Sequence, residues 1–277
     1  MKQSYVSKVK MKRYTFKNVQ RFLASLYACA RLMRQSYKAY GYLRAGMEPF
    51  VGHFEFCGIS FVGRKEDWAA IREVLVEDEY SCVSLLLPAN GEQRVLDLGA
   101  NIGTFAMRVF SHNRASRIVS VEAAEDTFTI LHENKKLNPV LSWEVINKGV
   151  WREDGPLTLM RRGISVGHRV IDGQGEEAII GVSLQSLINE LGWEFVDLIK
   201  MDIEGGEEAV IPSALDILRK TRFFIVELHS DRIDIAPLMK SLREIYTHNW
   251  LLNSRKSLKP LYIMTNEDLD LSGYVRT

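Results

Sequence analysis

Between Arg94 and His229, short apolar runs alternate with helix-patterned segments, and several of the runs end on an acid or a glycine. The runs RVLDLG (94–99), SRIVSVEA (116–123), LSWEVINKGV (141–150), VDLIKMDIEG (196–205) and RFFIVELH (222–229) are predicted strands. Residues 102–113, 125–138, 184–192, 206–220 and 236–246 carry helical patterning, with a break near Pro212. Near-continuous apolar strands are buried on both faces, and parallel neighbours need crossover helices. The alternation therefore predicts an α/β fold: a mostly parallel sheet covered by helices on both sides. WLLNSR (250–255) and PLYIMT (260–265) read as a closing antiparallel hairpin. Residues 151–182 interrupt the alternation with six glycines among β-favouring residues. They predict hairpin strands with a mobile loop, a natural place for acceptor recognition or a lid.

Upstream, residues 18–44 are helix-patterned, residues 50–63 suggest a hairpin, and EDWAAIREVLVEDEY (66–80) suggests another helix. Residues 1–65 are thus expected to be a basic, mainly helical extension, and residues 66–277 the main domain. Charge is uneven between the two. The first 47 residues carry eleven Lys or Arg and no acid; the rest holds 25 basic and 35 acidic residues. A basic arm on an acidic body is expected to pack on its own domain. Docking on an anionic membrane surface or an anionic substrate is the alternative, and nucleic acid is the weakest reading. The three cysteines, Cys29, Cys57 and Cys82, fit neither a disulfide framework nor a zinc pattern. No apolar run reaches membrane-spanning length, and no signal-peptide pattern follows the basic start. A cytoplasmic location is the expectation. Oligomeric state has no signal here.

The first strand runs into VLDLGANIGTF (95–105), a glycine turn with Asp97 at its mouth. Dinucleotide sites want G-x-G-x-x-G, because pyrophosphate must approach bare backbone. Only Gly99 and Gly103 are present, and a carboxylate there repels phosphate. An NAD-dependent oxidoreductase is therefore the weaker alternative. A carboxylate suits S-adenosylmethionine, which carries a sulfonium and an ammonium and no phosphate. Glu122 ends the next strand, where an acid accepts hydrogen bonds from ribose hydroxyls. Further on, Asp202, Glu204 and Glu207 cluster around Gly205, and Glu227 and His229 close the following strand. Capping of the next helix explains the acids at 207 and 208, but not Asp202.

These four blocks in order (DLGANIGTF, VEAAEDTFTILHENKKLN, LIKMDIEGGEEAVI and IVELH) resemble the FkbM-type S-adenosylmethionine-dependent methyltransferases over roughly residues 75–250. One departure is Ala123, where the family usually has proline. The resemblance implies a class I methyltransferase fold, Rossmann-like, with seven strands and an antiparallel last strand. It implies S-adenosylmethionine as donor and a hydroxyl acceptor on a sugar, polyketide or other specialised metabolite. Asp97, Gly99, Asn101 and Gly103 match the donor turn, Glu122 the ribose acid, and Asn147 and Lys148 the usual place of adenine contacts. Asp202 is the first candidate for the base that takes the acceptor proton, or for a contact to the donor's amino end; His229 and His168 follow. No metal ligand is assigned. Metal-assisted sugar O-methylation, with Mg²⁺ held by Asp202, Glu204, Glu227 and His229, is kept as an alternative, as is a donor-binding scaffold without catalysis.

Overall fold

A computed structural model of the chain describes residues 16–33, 51–160, 169–171, 175–254 and 257–275. It begins with helix α1 (Phe16–Met33) and the hairpin β1 (Val51–Phe56) and β2 (Ile59–Arg64). The predicted helix over 66–80 is a chain of short pieces: a 3₁₀ turn, helix α2 (Trp68–Ile71) and a π turn ending at Val76. Helix α3 (Val83–Leu86) leads into the alternating region. There follow β3 (Arg94–Leu98), α4 (Thr104–His112), β4 (Arg117–Glu122), α5 (Glu125–Lys136) and β5 (Trp143–Asn147). The run 141–150, expected as one strand, bends at Lys148 into the separate strand β6 (Gly149–Trp151). Strands β7 (Gly155–Met160), β8 (Arg169–Ile171) and β9 (Glu177–Ser183) come next. The chain continues with α6 (Leu184–Leu191), β10 (Val196–Met201), α7 (Glu207–Ser213), α8 (Leu215–Leu218) and β11 (Thr221–Glu227). It closes with α9 (Ile235–Ile245), β12 (His248–Leu251) and β13 (Leu261–Thr265). The expectations on residues 34–44, 161–168 and 172–174 lie outside the described residues.

The main sheet has seven strands in the order β12–β13–β11–β10–β3–β4–β5. Only β13 runs against the others, pairing antiparallel with both β11 and β12. This is the class I methyltransferase arrangement, built from a central β3 outwards to both sides. Its period-2 alternation divides the core between two faces. Val95, Leu198, Phe223 and Ile225 pack on one face. Leu96, Leu98, Ile199, Phe224 and Val226 pack on the other. The order reverses between β3 and β10, so a crevice opens at the carboxyl ends of these central strands, where ligands bind in such sheets.

A second sheet of four strands, β6–β9–β7–β8, stands beside the first. The amino-terminal hairpin is tied to the main domain through α5. Asn134 accepts from the backbone N–H of Val62 at 2.7 Å and donates to the carbonyls of Val62 and Ile102. Asn138 holds Ser60 from both sides in the same way. Phe54, Ile59 and Phe61 share one core cluster with Phe105 and Trp143, as do Cys29, Leu32 and Met33 of α1. Among the described residues no helix is long and apolar enough to cross a membrane.

Candidate active site

The crevice is a cleft of about 440 Å³, open to solvent. Its walls come from the turn after β3, the ends of β4, β10 and β11, the α2 segment and the loop before β13. Its lining holds six acids (Glu73, Glu79, Glu122, Asp202, Glu204 and Glu227) against three lysines (Lys148, Lys200 and Lys259).

The turn after β3 owes its shape to residues in the left-handed region. Gly99 has φ +76°, and a Cβ there would stand 1.9 Å from the carbonyl oxygen of Asp202. Glycine is thus required for the close approach of β10's end. Asn101 also has positive φ, which asparagine tolerates. At Gly103 a Cβ would run into the Trp143 ring, so this glycine serves helix packing away from the cleft. The backbone N–H of Asn101 donates to Glu122 Oε2 and that of Ala124 to Glu122 Oε1, both at 2.9 Å. Burial pushes the Glu122 carboxyl above the usual range, and these two N–H groups pull against that. Each oxygen retains a free lone pair beside the cleft.

Asp97 stands elsewhere than expected. It is fully buried, forms no part of the cleft wall, and faces Lys200 Nζ at 3.3 Å and Ser120 Oγ at 3.4 Å. Lys200 donates to the Gly99 carbonyl at 2.7 Å. Burial works to lower the Lys200 pKa, but Asp97 and Asp202 hold it above its ordinary value. A buried ammonium needs such a partner, so Asp97 neutralises Lys200 behind the cleft wall. Asn147 is also off the cleft: its amide donates to the carbonyls of Glu122 and Ala123. Lys148, its neighbour, does line the cleft and reaches Glu190 at 3.5 Å.

At the other end, four carboxylates surround one imidazole. His229 is fully buried. Its Nδ1 bonds Glu207 Oε1 at 3.0 Å, and that oxygen also accepts from the Ile203 N–H. Its Nε2 stands 3.1 Å from Glu204, 3.5 Å from Glu227 and 3.7 Å from Asp202, yet makes no hydrogen bond. Burial would lower the His229 pKa, but Glu204 and Glu207 push it up to about 10. An imidazolium enclosed in this way is a poor proton acceptor, so the base role expected of His229 finds no support in its surroundings. Glu204, also at positive φ, is gripped by Arg232 at 2.7 Å and Lys259 at 3.3 Å. Burial opposes its ionisation, but His229, Lys259 and Arg232 hold it down at about 2. Glu227 goes the other way: burial and the neighbouring Asp202 push it up to about 8. Asp202 is the most open of the set, with a carboxylate oxygen that has no hydrogen-bond partner. His168 lies outside the described residues.

The sequence reading missed Glu73, Glu79, Lys259 and Arg232, which enter from segments without a local signal. It assigned Glu207 to helix capping, and the structure makes it the partner of His229. The pairing of an E-x-x-E block with a strand ending E-x-H is the signal from which this contact was readable.

Comparison with known proteins gives a consistent picture. A family model described as the methyltransferase FkbM domain matches residues 97–249. Hexuronic acid methyltransferase AglP of Haloferax volcanii is 27% identical over 169 residues, covering 60% of this chain and 69% of that protein. Methyltransferase 1 of Beauveria bassiana is 24% identical over 209 residues, covering 66% of this chain and 78% of that protein. Among solved structures, an FkbM methyltransferase from Methylobacillus flagellatus superposes with a TM-score of 0.47 at 14% identity, covering 89% of this chain. The chain spans 59% of the length of that structure.

Proposed function

The chain belongs to the FkbM methyltransferase family, and we propose that it transfers a methyl group from S-adenosylmethionine to a hydroxyl of a sugar, polyketide or related metabolite. The observation that carries this reading is the acid excess of the cleft, with Glu122 pinned at one end and Asp202 and Glu227 at the other. Such a lining repels pyrophosphate and favours a cationic donor. Its volume lies in the usual range for small-molecule sites.

The donor supplies an electrophilic methyl carbon on a positively charged sulfur. Glu122 is placed to accept both hydroxyl hydrogens of a vicinal diol, because its oxygens are already aimed by backbone N–H groups. Asp202 puts negative charge near the sulfonium, and both Asp202 and Glu227 stand within reach of an acceptor hydroxyl. An aliphatic hydroxyl is a weak nucleophile until its proton is taken. Of the two expected carboxylate roles, base and contact to the donor's ammonium, Asp202 is suited to either by its openness. Glu227, raised to about 8, is the stronger base when ionised. Most of the remaining acceleration is alignment of oxygen, carbon and sulfur and exclusion of water.

Calorimetric titration tests the donor assignment. S-adenosylmethionine is expected to bind and NAD is not, and Glu122→Ala weakens donor binding about tenfold or more, ~1.4 kcal/mol. Binding of NAD in place of S-adenosylmethionine, or an unchanged affinity in the variant, overturns the assignment. The basic arm is proposed to serve packing: the described part of α1 buries Cys29, Leu32 and Met33 in the core.

A further inference from the structure

The imidazole and carboxylates at the acceptor end have a geometry that hydrogen bonding does not account for. His229 Nε2 is buried, aimed at the cleft's acidic end, and without a hydrogen bond, and so is Asp202 Oδ1. The separations from Nε2 to Asp202 and Glu227, 3.7 and 3.5 Å, are too long for hydrogen bonds. They approach another arrangement. Two donors each ~2.1 Å from one ion and ~90–120° apart stand ~3.0–3.6 Å from each other. One ligand atom from each of Asp202, Glu227 and His229 lies within 4.8 Å of the other two.

We infer that Asp202, Glu227 and His229 form a site for one divalent first-row transition ion, such as Mn²⁺ or Zn²⁺. Three features beyond the cluster itself support it. Glu207 accepts from Nδ1, so an ion that displaces the Nε2 proton meets that nitrogen's lone pair, the carboxylate–histidine arrangement that orients metal-bound imidazoles. Glu204 is held by Arg232 at 2.7 Å and Lys259 at 3.3 Å, so cations already satisfy the fourth acid, whereas Lys259 stays 3.7 Å from Glu227 and Lys200 3.9 Å from Asp202, beyond hydrogen-bond reach. Asp202 and Glu227 both line the cleft, so the ion would keep open positions towards an acceptor. An imidazole in the set selects against Mg²⁺, which prefers oxygen alone.

The inference rests on the methyltransferase reading for its consequence. An acceptor hydroxyl coordinated there loses its proton to solvent more readily. Its oxygen then forms the bond to the methyl carbon as the sulfur–carbon bond breaks, and the sulfur takes that electron pair.

The test uses the full chain, stripped with chelator and dialysed, and titrated with Mn²⁺ while electron paramagnetic resonance reads the free ion. One equivalent is expected to disappear from the free signal. Equimolar Zn²⁺ releases it, and Mg²⁺ at a hundredfold excess does not. Glu227→Gln and His229→Ala abolish the deficit, with circular dichroism reporting their fold. Glu207→Gln, which touches no metal, weakens Mn²⁺ binding about 10–100-fold. A free signal that tracks added Mn²⁺ in the unmutated protein overturns the site, as does unchanged binding in folded Glu227→Gln. Displacement by Mg²⁺ as easily as by Zn²⁺ overturns the choice of ion class. Calorimetry with S-adenosylmethionine on the same stripped protein reads the donor assignment alone, so either claim can fail while the other stands.

Discussion

The two ends of the cleft hold carboxylates by opposite means. At the Glu122 end, backbone does the holding: two N–H groups from turns adjoining β3 and β4 fix both oxygens. At the Asp202 end, side chains hold one another, through His229, Arg232, Lys259 and Glu207. A backbone-held acid keeps its position whatever its neighbours are, which suits a constant donor. A side-chain network is retuned by single substitutions. The pKa directions follow the same division. Glu122 is raised by burial, which its two backbone N–H groups oppose; Glu227 is raised by burial and then by Asp202 to about 8, while cationic neighbours hold Glu204 at about 2 against its burial.

The largest expected effect tests whether Asp97 belongs to the donor end at all. Removing one partner of a buried ion pair leaves a bare charge and costs about 3–5 kcal/mol. Asp97→Ala should therefore lower the denaturation midpoint sharply, and Asp97→Ala combined with Lys200→Met should restore most of it. Denaturant unfolding of the two variants beside the unmutated protein measures this. A stable Asp97→Ala with weakened S-adenosylmethionine binding would break the comparison, because it would give the donor end a carboxylate that acts on the ligand directly.

A smaller effect sharpens the backbone-held end. Burial raises the Glu122 pKa above the ordinary value for glutamate, about 4.3. A protonated carboxyl cannot accept from both hydroxyls of a diol, so donor affinity falls as pH is lowered. Because the shift is upward, the fall begins at a higher pH than for an exposed glutamate. Calorimetry from pH 8 down to 5 should show the affinity falling towards the acid end of the series. The same series on Glu122→Gln should be flat, starting from the weaker value. A slope of equal size in the variant would assign the titration to another group.

The division also explains what could be read from the chain. The strands from β3 to β5 and the pair β10 and β11 were legible because each is a short apolar run between turn residues. The turn at 99–103 was legible because its constraints are local, although its detail was not. Nothing in VLDLG says that Gly99 must clear the Asp202 carbonyl, 103 residues later, or that Asp97 faces a lysine on the neighbouring strand. The bend at Lys148 went unseen because β5 and β6 differ in which sheet they join, and both favour strand. The Asp202 end was half legible. Asp202, Glu227 and His229 announced themselves at strand ends, while Arg232 and Lys259 come from loops whose charges look like ordinary solvated ones until the fold closes over them.

The smallest predicted effect concerns Asn147, which the sequence placed among donor contacts. Its amide donates to two carbonyls of the β4–α5 turn, at 2.9 and 3.2 Å, and it is exposed. Exposed carbonyls that lose a side-chain donor are taken up by water, so the net loss is near the low end for a hydrogen bond, about 0.5 kcal/mol. The turn's other supports, the N–H bonds of Asn101 and Ala124 to Glu122, do not pass through Asn147. Asn147→Ala is therefore expected to change S-adenosylmethionine affinity by less than about threefold. Lys148→Ala, measured alongside, removes a side chain that does line the cleft, and should have the larger effect of the two. A tenfold loss in Asn147→Ala would mean that β5 holds the turn in place, and that the backbone-held end depends on a side chain after all.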